Sequence, residues 1–293
     1  MSKIRIGAYM PSAGELPATH GIHTLATQLE TAGFASLWVS DHVVMPQQIK
    51  AAYPFAKDKK ATWATDVAWY DAMIILAMVA SVTKNVELGT AVLVLPLRQP
   101  IVFAKQAASI DSLSGGRLTL GVGAGWLADE FDALNVPFQS RGKRLEEWMD
   151  LCRNIWTGAP EQYNGDHFQL PPNVFSYPTP GHNINFLIGG HSKPALRRAG
   201  TLANGWLPHQ SGNSMDPSAL EEPINLMRKS AENAGNNPDD LRVVLRINKS
   251  ADCTQEVANH ISAFESVGVH DIVVDVDWTV DGGAKRAADT LIR

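Results

Sequence analysis

The sequence is sparing in the features that would take it out of the ordinary run of globular enzymes. Only two cysteines occur in 293 residues, Cys152 and Cys253, about a hundred positions apart. That spacing excludes a disulfide framework and offers no metal-ligand pattern, so a reducing cytoplasm is the expected compartment. Positive charge is in slight deficit, with 25 Lys and Arg against 30 Asp and Glu and a formal net charge of −5. Nucleic acid is therefore not an expected partner, because binding a phosphate backbone needs a basic surface. Long apolar runs are missing as well: the longest, from Ala72 to Ala80, falls well short of the roughly 20 residues that cross a bilayer. The opening MSKIRIGAYM leads straight into a strand pattern without the signature of a signal peptide, so no membrane association is expected. Gly (23) and Pro (17) are too few for a collagen-like or linker composition, and 45% hydrophobic with 19% charged residues excludes intrinsic disorder.

What is present is alternation. Strand patterns at Ile4–Met10, Ser36–Ser40, Val86–Leu93, Arg117–Gly123, Asn185–Gly190, Trp206–Pro208, Val243–Ile247 and Ile272–Asp275 are each followed by helical periodicity. The helices are expected at His20–Gly33, Trp69–Val82, Ile101–Leu113, Trp126–Leu134 with Arg144–Trp156, Lys193–Leu202, Pro217–Asn233, Glu256–Val267 and Gly283–Ile292. Between Thr157 and Asn183 the periodicity stops in a series of Gly and Pro turn clusters, which reads as a surface insertion. Val43–Asp66, with Pro46, Pro54 and lysines at 57, 59 and 60, reads as a long loop. Eight strand–helix pairs with apolar strands imply parallel strands joined by right-handed crossovers. Eight pairs in this length favour a single α/β domain, a closed (β/α)8 TIM barrel with an insertion at about 157–183, over an open doubly wound sheet.

In such a barrel the working residues lie at the C-terminal ends of the strands. That rule selects Asp41 and His42 after the second strand, Thr90 and Ala91 in the third, Gly123–Trp126 after the fourth, Gly189–Ser192 after the fifth and His209 after the sixth. Arg246, Asn248, Asp275, Asp277 and Trp278 stand near the last two. A strand-exit histidine can move a proton near neutral pH, and a nearby carboxylate raises its basicity, although neighbours on an extended chain point in opposite directions. LIGGHS (Leu187–Ser192) ends a strand in two glycines and enters a helix with Pro194 in its first turn, an arrangement suited to an anion. It is equally open to reading as a plain tight turn. Gly121, Gly123 and Gly125 have G-x-G-x-G spacing rather than a dinucleotide fingerprint, and suggest room for a flat ring system against the backbone. His20 and His23 lack a third ligand, so no metal site is expected. No G-x-S-x-G elbow exists, and Cys152, spaced helically among Trp148, Leu151 and Ile155, reads as a core thiol. Arg141 and Arg144 are expected to pair with Glu146 and Glu147, or else to reach an anion.

Taken together, SLWVSDHVV, VELGTAVLVLPLRQP, AKQAASIDSLSGGRLTLGVGAGWLADEF, RGKRLEE and INFLIGGHSKPALRRAGTLANGW resemble the luciferase-like flavin and deazaflavin oxidoreductases, from the first strand to about Pro208. The SDH segment and the DSLSGGRLTLGVGAGW run are most similar to the branch that uses coenzyme F420, a deazaflavin. The resemblance implies a barrel with F420, or alternatively FMN, bound in its mouth. Position by position, His42 matches a histidine that faces the deazaflavin and acts in proton transfer, with Asp41 beside it. Ala91 and Val92, next to Thr90, match the place of a non-prolyl cis peptide that bulges behind the ring. Ala124 and Gly125 match residues along the cofactor's polyol chain, and Gly189, Gly190, His191 and Ser192 match the loop that holds its phosphate.

One departure bears on the substrate. The F420-dependent sugar-phosphate dehydrogenases of this family carry an active-site glutamate just after the fourth strand, where this chain has Trp126. An indole neither gives nor takes a proton at neutral pH, so the expected substrate is a small apolar or aromatic molecule stacking on Trp126 rather than glucose-6-phosphate. Three functions remain in view: hydride transfer to or from a bound deazaflavin, an FMN monooxygenase using oxygen and flavin reduced by a separate reductase partner, and a non-catalytic flavin-binding protein. The Val43–Asp66 loop and the 157–183 insertion are expected to roof the barrel mouth. A homodimer is expected from the resemblance, with the apolar Met73–Val79 stretch either its interface or a helix buried within its own subunit.

Overall fold

The computed structural model describes residues 4–53, 59–61 and 64–292. Eight parallel strands form the barrel: β1 (Arg5–Tyr9), β2 (Ser36–Val39), β3 (Glu87–Val94), β4 (Leu118–Gly123), β7 (Asn185–Gly189), β8 (Gly205–Leu207), β10 (Arg242–Asn248) and β11 (Asp271–Val274). They neighbour one another in chain order. Pairing of β11 with both β10 and β1 closes the cylinder, with Ile272 opposite Leu245 on one side and Ile6 on the other. The helices α1 (Ile22–Ala32), α2 (Ala72–Val82), α3 (Pro100–Ser114), α4 (Ala128–Ala133) with α5 (Arg141–Ile155), α6 (Lys193–Thr201), α7 (Glu221–Asn233), α8 (Thr254–Ser266) and α9 (Gly283–Leu291) follow the eight strands in turn. This is the (β/α)8 arrangement expected from the alternation, and observed ends differ from expected ones mostly by a few residues. The strand expected at Trp206–Pro208 continues past Pro208 as β9 (His209–Ser211), which pairs with the end of β10.

The insertion is not wholly irregular, since β5 (Tyr163–Asn164) and β6 (Gln169–Leu170) make a short antiparallel hairpin. In the long loop, the lysine expected at 57 and the proline at 54 lie outside the described residues. Helix α2 buries Met73, Ile75, Leu76 and Val79 in its own subunit and turns Ile74 outward at 61% exposure. No helix among the described residues is long and apolar enough to cross a membrane.

Two apolar layers hold the barrel. The larger fills the space between strands and helices, and includes Cys152, whose thiol burial pushes up in pKa, in keeping with an inert core group. The smaller lies inside the cylinder and is built from Trp38, Leu187, Leu207, Val244 and Val273. Trp38 fits there because Gly89 faces it from β3: a Cβ at that position would overlap the indole. The indole N–H donates to Ser36 Oγ at 2.7 Å, which satisfies the one polar atom of the layer's largest side chain.

The floor of the barrel is charged. The first residues of β1, β3, β10 and β11 are Arg5, Glu87, Arg242 and Asp271, and Arg242 reaches Glu87 at 2.6 Å and Asp271 at 2.7 Å. Arg5 adds a second guanidinium to both carboxylates. Burial opposes the charge on Glu87, yet the Arg242 hydrogen bond and the two cations outweigh it and hold its carboxyl below the usual value. The contribution of Glu87 to stability is therefore present above its unfolded pKa and is lost as pH falls through the lowered folded value. Arg242→Met should leave the two carboxylates at the barrel floor with Arg5 alone and cost about 2–4 kcal/mol in urea unfolding at pH 7. The deficit should shrink at acid pH as Glu87 takes up a proton; a deficit below about 1 kcal/mol at pH 7 would show that the network does not support the fold.

Candidate functional site

The C-terminal ends of the strands open into a cavity of about 1700 Å³. Its walls bring together Asp41, His42, Ala91, Val92, Ala124, Gly125, Trp126, Gly189, Gly190, His191 and Ser192, all singled out from the sequence. Thr90 is the exception. It is fully buried and donates its hydroxyl hydrogen bond to the Gly121 carbonyl at 2.7 Å, so it fastens β3 to β4 and does not line the cavity.

His42 lies just beyond β2, and its Nδ1 is 3.1 Å from Glu130 Oε2. Glu130, on α4, is 1% exposed, and its other oxygen accepts the backbone N–H groups of Val43 at 2.5 Å and Val44 at 3.3 Å. A carboxylate accepts only, so Nδ1 carries the hydrogen and Nε2 is the ring nitrogen without it. The expected partnership of Asp41 with His42 is corrected by this geometry. Asp41 points the other way, takes Arg98 at 2.5 Å and the Val94 amide at 3.2 Å, and its burial pushes its carboxyl up in pKa against the pull of Arg98. Arg98 in turn reaches Asp71 at 2.5 Å, and Asp71 caps α2 through the amides of Met73 and Ile74. Asp41 thus belongs to the frame that fixes the loop ends after β2 and β3.

Behind the cavity the Ala91–Val92 peptide is cis, at the place the resemblance implies, and the β3–β4 register shifts between Thr90 and Leu93. The bulge also revises the reading of the glycines. A Cβ at Gly123 or Gly189 would press on the Val92 side chain, and one at Gly125 would lie 2.6 Å from the Phe131 ring. These glycines make room for the protein's own bulge and for α4, not for a flat ligand lying on the backbone. At Gly190 the case differs: φ is +103°, and a Cβ would meet only Ala195 at 3.6 Å. The turn there is open towards the start of α6, where Ser192 caps the Ala195 amide and Pro194 occupies the first turn.

Arg141 and Arg198 line the same arm of the cavity. The expected pairing of Arg141 and Arg144 with Glu146 and Glu147 does not form. Arg141 donates to the Gly125 carbonyl at 3.2 Å and lies over the Phe138 ring, while Arg144 donates to Ser140 and lies over Trp148. Glu146 is taken by Arg198 at 2.6 Å and Glu147 by His167 at 2.8 Å. Burial and the neighbouring Arg198 both push the pKa of Arg141 down.

The other arm is aromatic. Trp69 meets the His42 ring edge-on at 4.7 Å between centroids, Trp126 meets it at 6.5 Å, and Tyr53 meets Trp126 at 5.0 Å. Near β8, His209 is pushed down to about 4 by burial, Arg246 and His191, so it stays neutral at working pH. Arg246 is turned away, over Tyr9 and onto Asp275.

Comparison with known proteins agrees with this geometry. The family model for the luciferase-like monooxygenases matches residues 2–286. The chain belongs to that family. An uncharacterized protein of Mycobacterium tuberculosis is 31% identical over 251 residues, 85% of this chain and 83% of that protein. The F420-dependent glucose-6-phosphate dehydrogenase of Nakamurella multipartita is 30% identical over 265 residues, 89% of this chain and 72% of that enzyme. Among solved structures, an F420-dependent secondary alcohol dehydrogenase bound to an F420–acetone adduct superposes with a TM-score of 0.79 at 17% identity, covering 98% of each chain. The FMN-bound 3,6-diketocamphane monooxygenase of Pseudomonas putida superposes at 0.74 and 15% identity, covering 99% of this chain and 98% of that one.

Sequence reasoning passed over Glu130, Arg98 and Trp69. Glu130 looks like an ordinary first-turn acidic residue of α4. Only the fold shows that its carboxylate is spent on the loop after β2. Glu130→Ala should cost about 2–4 kcal/mol in thermal unfolding, because it leaves two amides and an imidazole N–H without their acceptor. A loss under about 0.5 kcal/mol would mean that the loop is held by other contacts.

Proposed function

We propose that the protein is an oxidoreductase that binds coenzyme F420 and moves a hydride between it and a small apolar or aromatic organic substrate. The observation that carries this reading is that a strand-exit histidine, a backbone bulge and an open helix start all line one cavity. The cofactor fits the residues present. The turn at Gly190 and the capped start of α6, with Arg141 and Arg198 beside them, suit its phosphate and further negative charge. The Val92 bulge would back its ring, and the volume of about 1700 Å³ exceeds what a small substrate alone needs. Deazaflavin, when bound, supplies the hydride chemistry.

The chain's own residues do the rest. His42 Nε2 takes or gives the proton, Glu130 holds the ring in the tautomer that allows it, and Trp126 and Tyr53 exclude water and stack on an apolar substrate. Trp126 stands where the resemblance puts an active-site glutamate of sugar-phosphate dehydrogenases, which argues against sugar phosphates. An FMN-bound relative keeps the flavin reading in view.

Fluorescence titration of the cofactor-free protein with F420 and, separately, FMN decides between them. Preferential micromolar binding of F420 is the expected result, and preference for FMN together with oxygen consumption would replace it by a monooxygenase. His42→Ala should leave F420 affinity within about threefold and lower turnover by about 10² to 10⁴. Unchanged turnover would remove His42 from the proton path.

A further inference from the structure

Positive charge is gathered at one place on a chain whose formal net charge is −5. Six of the 25 lysines and arginines, Arg141, Lys143, Arg144, Lys193, Arg197 and Arg198, fall within residues 141–144 and 193–198, and neither segment holds an acidic residue. The two segments open α5 and α6 and meet in space: Arg198 reaches Glu146 at 2.6 Å, and a Cβ on Gly142 would lie 2.6 Å from the Arg198 guanidinium. Both helix starts border the cavity, which takes in Arg141 and Gly142 from one and Ser192, Pro194 and Arg198 from the other. The lining itself is balanced in charge, because Asp41 and Asp216 stand in it against the two arginines. The excess comes from the row just outside. Lys193 and Arg197 each precede a lining residue of α6 and so lie about 100° round the helix from it, and Lys143 follows Gly142 on α5. All three are exposed, and none takes part in an ion pair among the described residues. Glu146 and Glu147, the carboxylates nearest Lys143 in sequence, are taken by Arg198 and His167.

We propose that Lys143, Lys193 and Arg197 form a steering rim, which draws an anionic cofactor into the barrel mouth and sets its association rate. This rests on the reading above that the cavity takes such a cofactor. A chain of negative net charge repels an anion at long range, so unpaired cations concentrated beside the entrance give its approach a direction. Exposed charges act through water over about a Debye length, about 10 Å at 0.1 M salt, so the pull fades as salt is added. Rim charges change the on-rate and its salt dependence, whereas a buried group bonded to the seated ligand changes the off-rate. The rim therefore differs in kind from Arg141 and Arg198, which line the cavity itself. It also grades ligands by charge. Uncharged riboflavin gains nothing, FMN gains through its phosphate, and F420 gains most because its tail adds carboxylates to its phosphate.

The test is stopped-flow fluorescence of the cofactor-free protein with F420, FMN and riboflavin, from about 20 mM to about 500 mM salt. Combining Lys143→Gln, Lys193→Gln and Arg197→Gln should slow F420 association about tenfold at the low-salt end while leaving the dissociation rate within about twofold. The difference should close at the high-salt end, be smaller for FMN and be absent for riboflavin. Lys84→Gln, Lys229→Gln and Lys285→Gln together remove the same net charge from exposed positions outside the cavity lining, and should slow F420 association by less than about twofold. Equal association rates in the two triple variants, a loss that persists at high salt, or a loss that falls on the dissociation rate would each overturn the rim while leaving the hydride reading in place. Rim-dependent association of FMN without any binding of F420 would instead overturn the hydride reading and leave the rim standing. Binding of neither would overturn both.

Discussion

The site depends on one buried carboxylate. Glu130, 1% exposed on α4, accepts from His42 and from two successive amides of the loop after β2. A carboxylate taken out of water is costly unless hydrogen bonds replace its hydration, and here three donors do so. The consequence is geometric: the exit of β2 is tied to the helix that follows β4, across a third strand. His42 is thereby held with a fixed ring orientation, and its free nitrogen is left to the cavity. The carboxylate that partners His42 comes from a helix 88 residues away rather than from the neighbouring position.

Asp41 shows the other half of the same economy of space. On an extended segment successive side chains point to opposite sides, so one of the Asp41–His42 pair must face inward. Asp41 does, and it meets Arg98, which also holds Asp71 at the head of α2. The three charges fasten the loop ends after β2 and β3 and the start of α2. They lie next to Trp69 and to the end of β3, the strand that carries the Ala91–Val92 bulge. The charged floor of Arg242, Glu87 and Asp271 does comparable work at the opposite end, the face that in such barrels serves stability.

Much of this was legible in residue order. Apolar strands alternating with helical periodicity announce a parallel barrel, because each strand must be covered on both faces. The rule that barrels work at their strand exits then selects His42, Trp126 and the Gly189–Ser192 turn, all of which meet in one cavity. The same rule misplaced Thr90, whose hydroxyl turns to Gly121, since strand position alone does not say which face a residue takes beside a bulge. It misread the Gly121–Gly125 run for a related reason: the groups that crowd those glycines, Val92, Phe131 and Thr90, are distant in sequence.

The sequence by itself determined the class of fold, the end of the barrel that carries the candidate site and the family to which the chain belongs, because these follow from local periodicity and from ordered motifs within single segments. Only the tertiary structure decided which carboxylate serves His42 and which arginines face the cavity. Those are pairings between residues tens of positions apart, and what sets them is how eight strands close on one another: the cylinder brings loop ends together at angles and distances that no local pattern encodes.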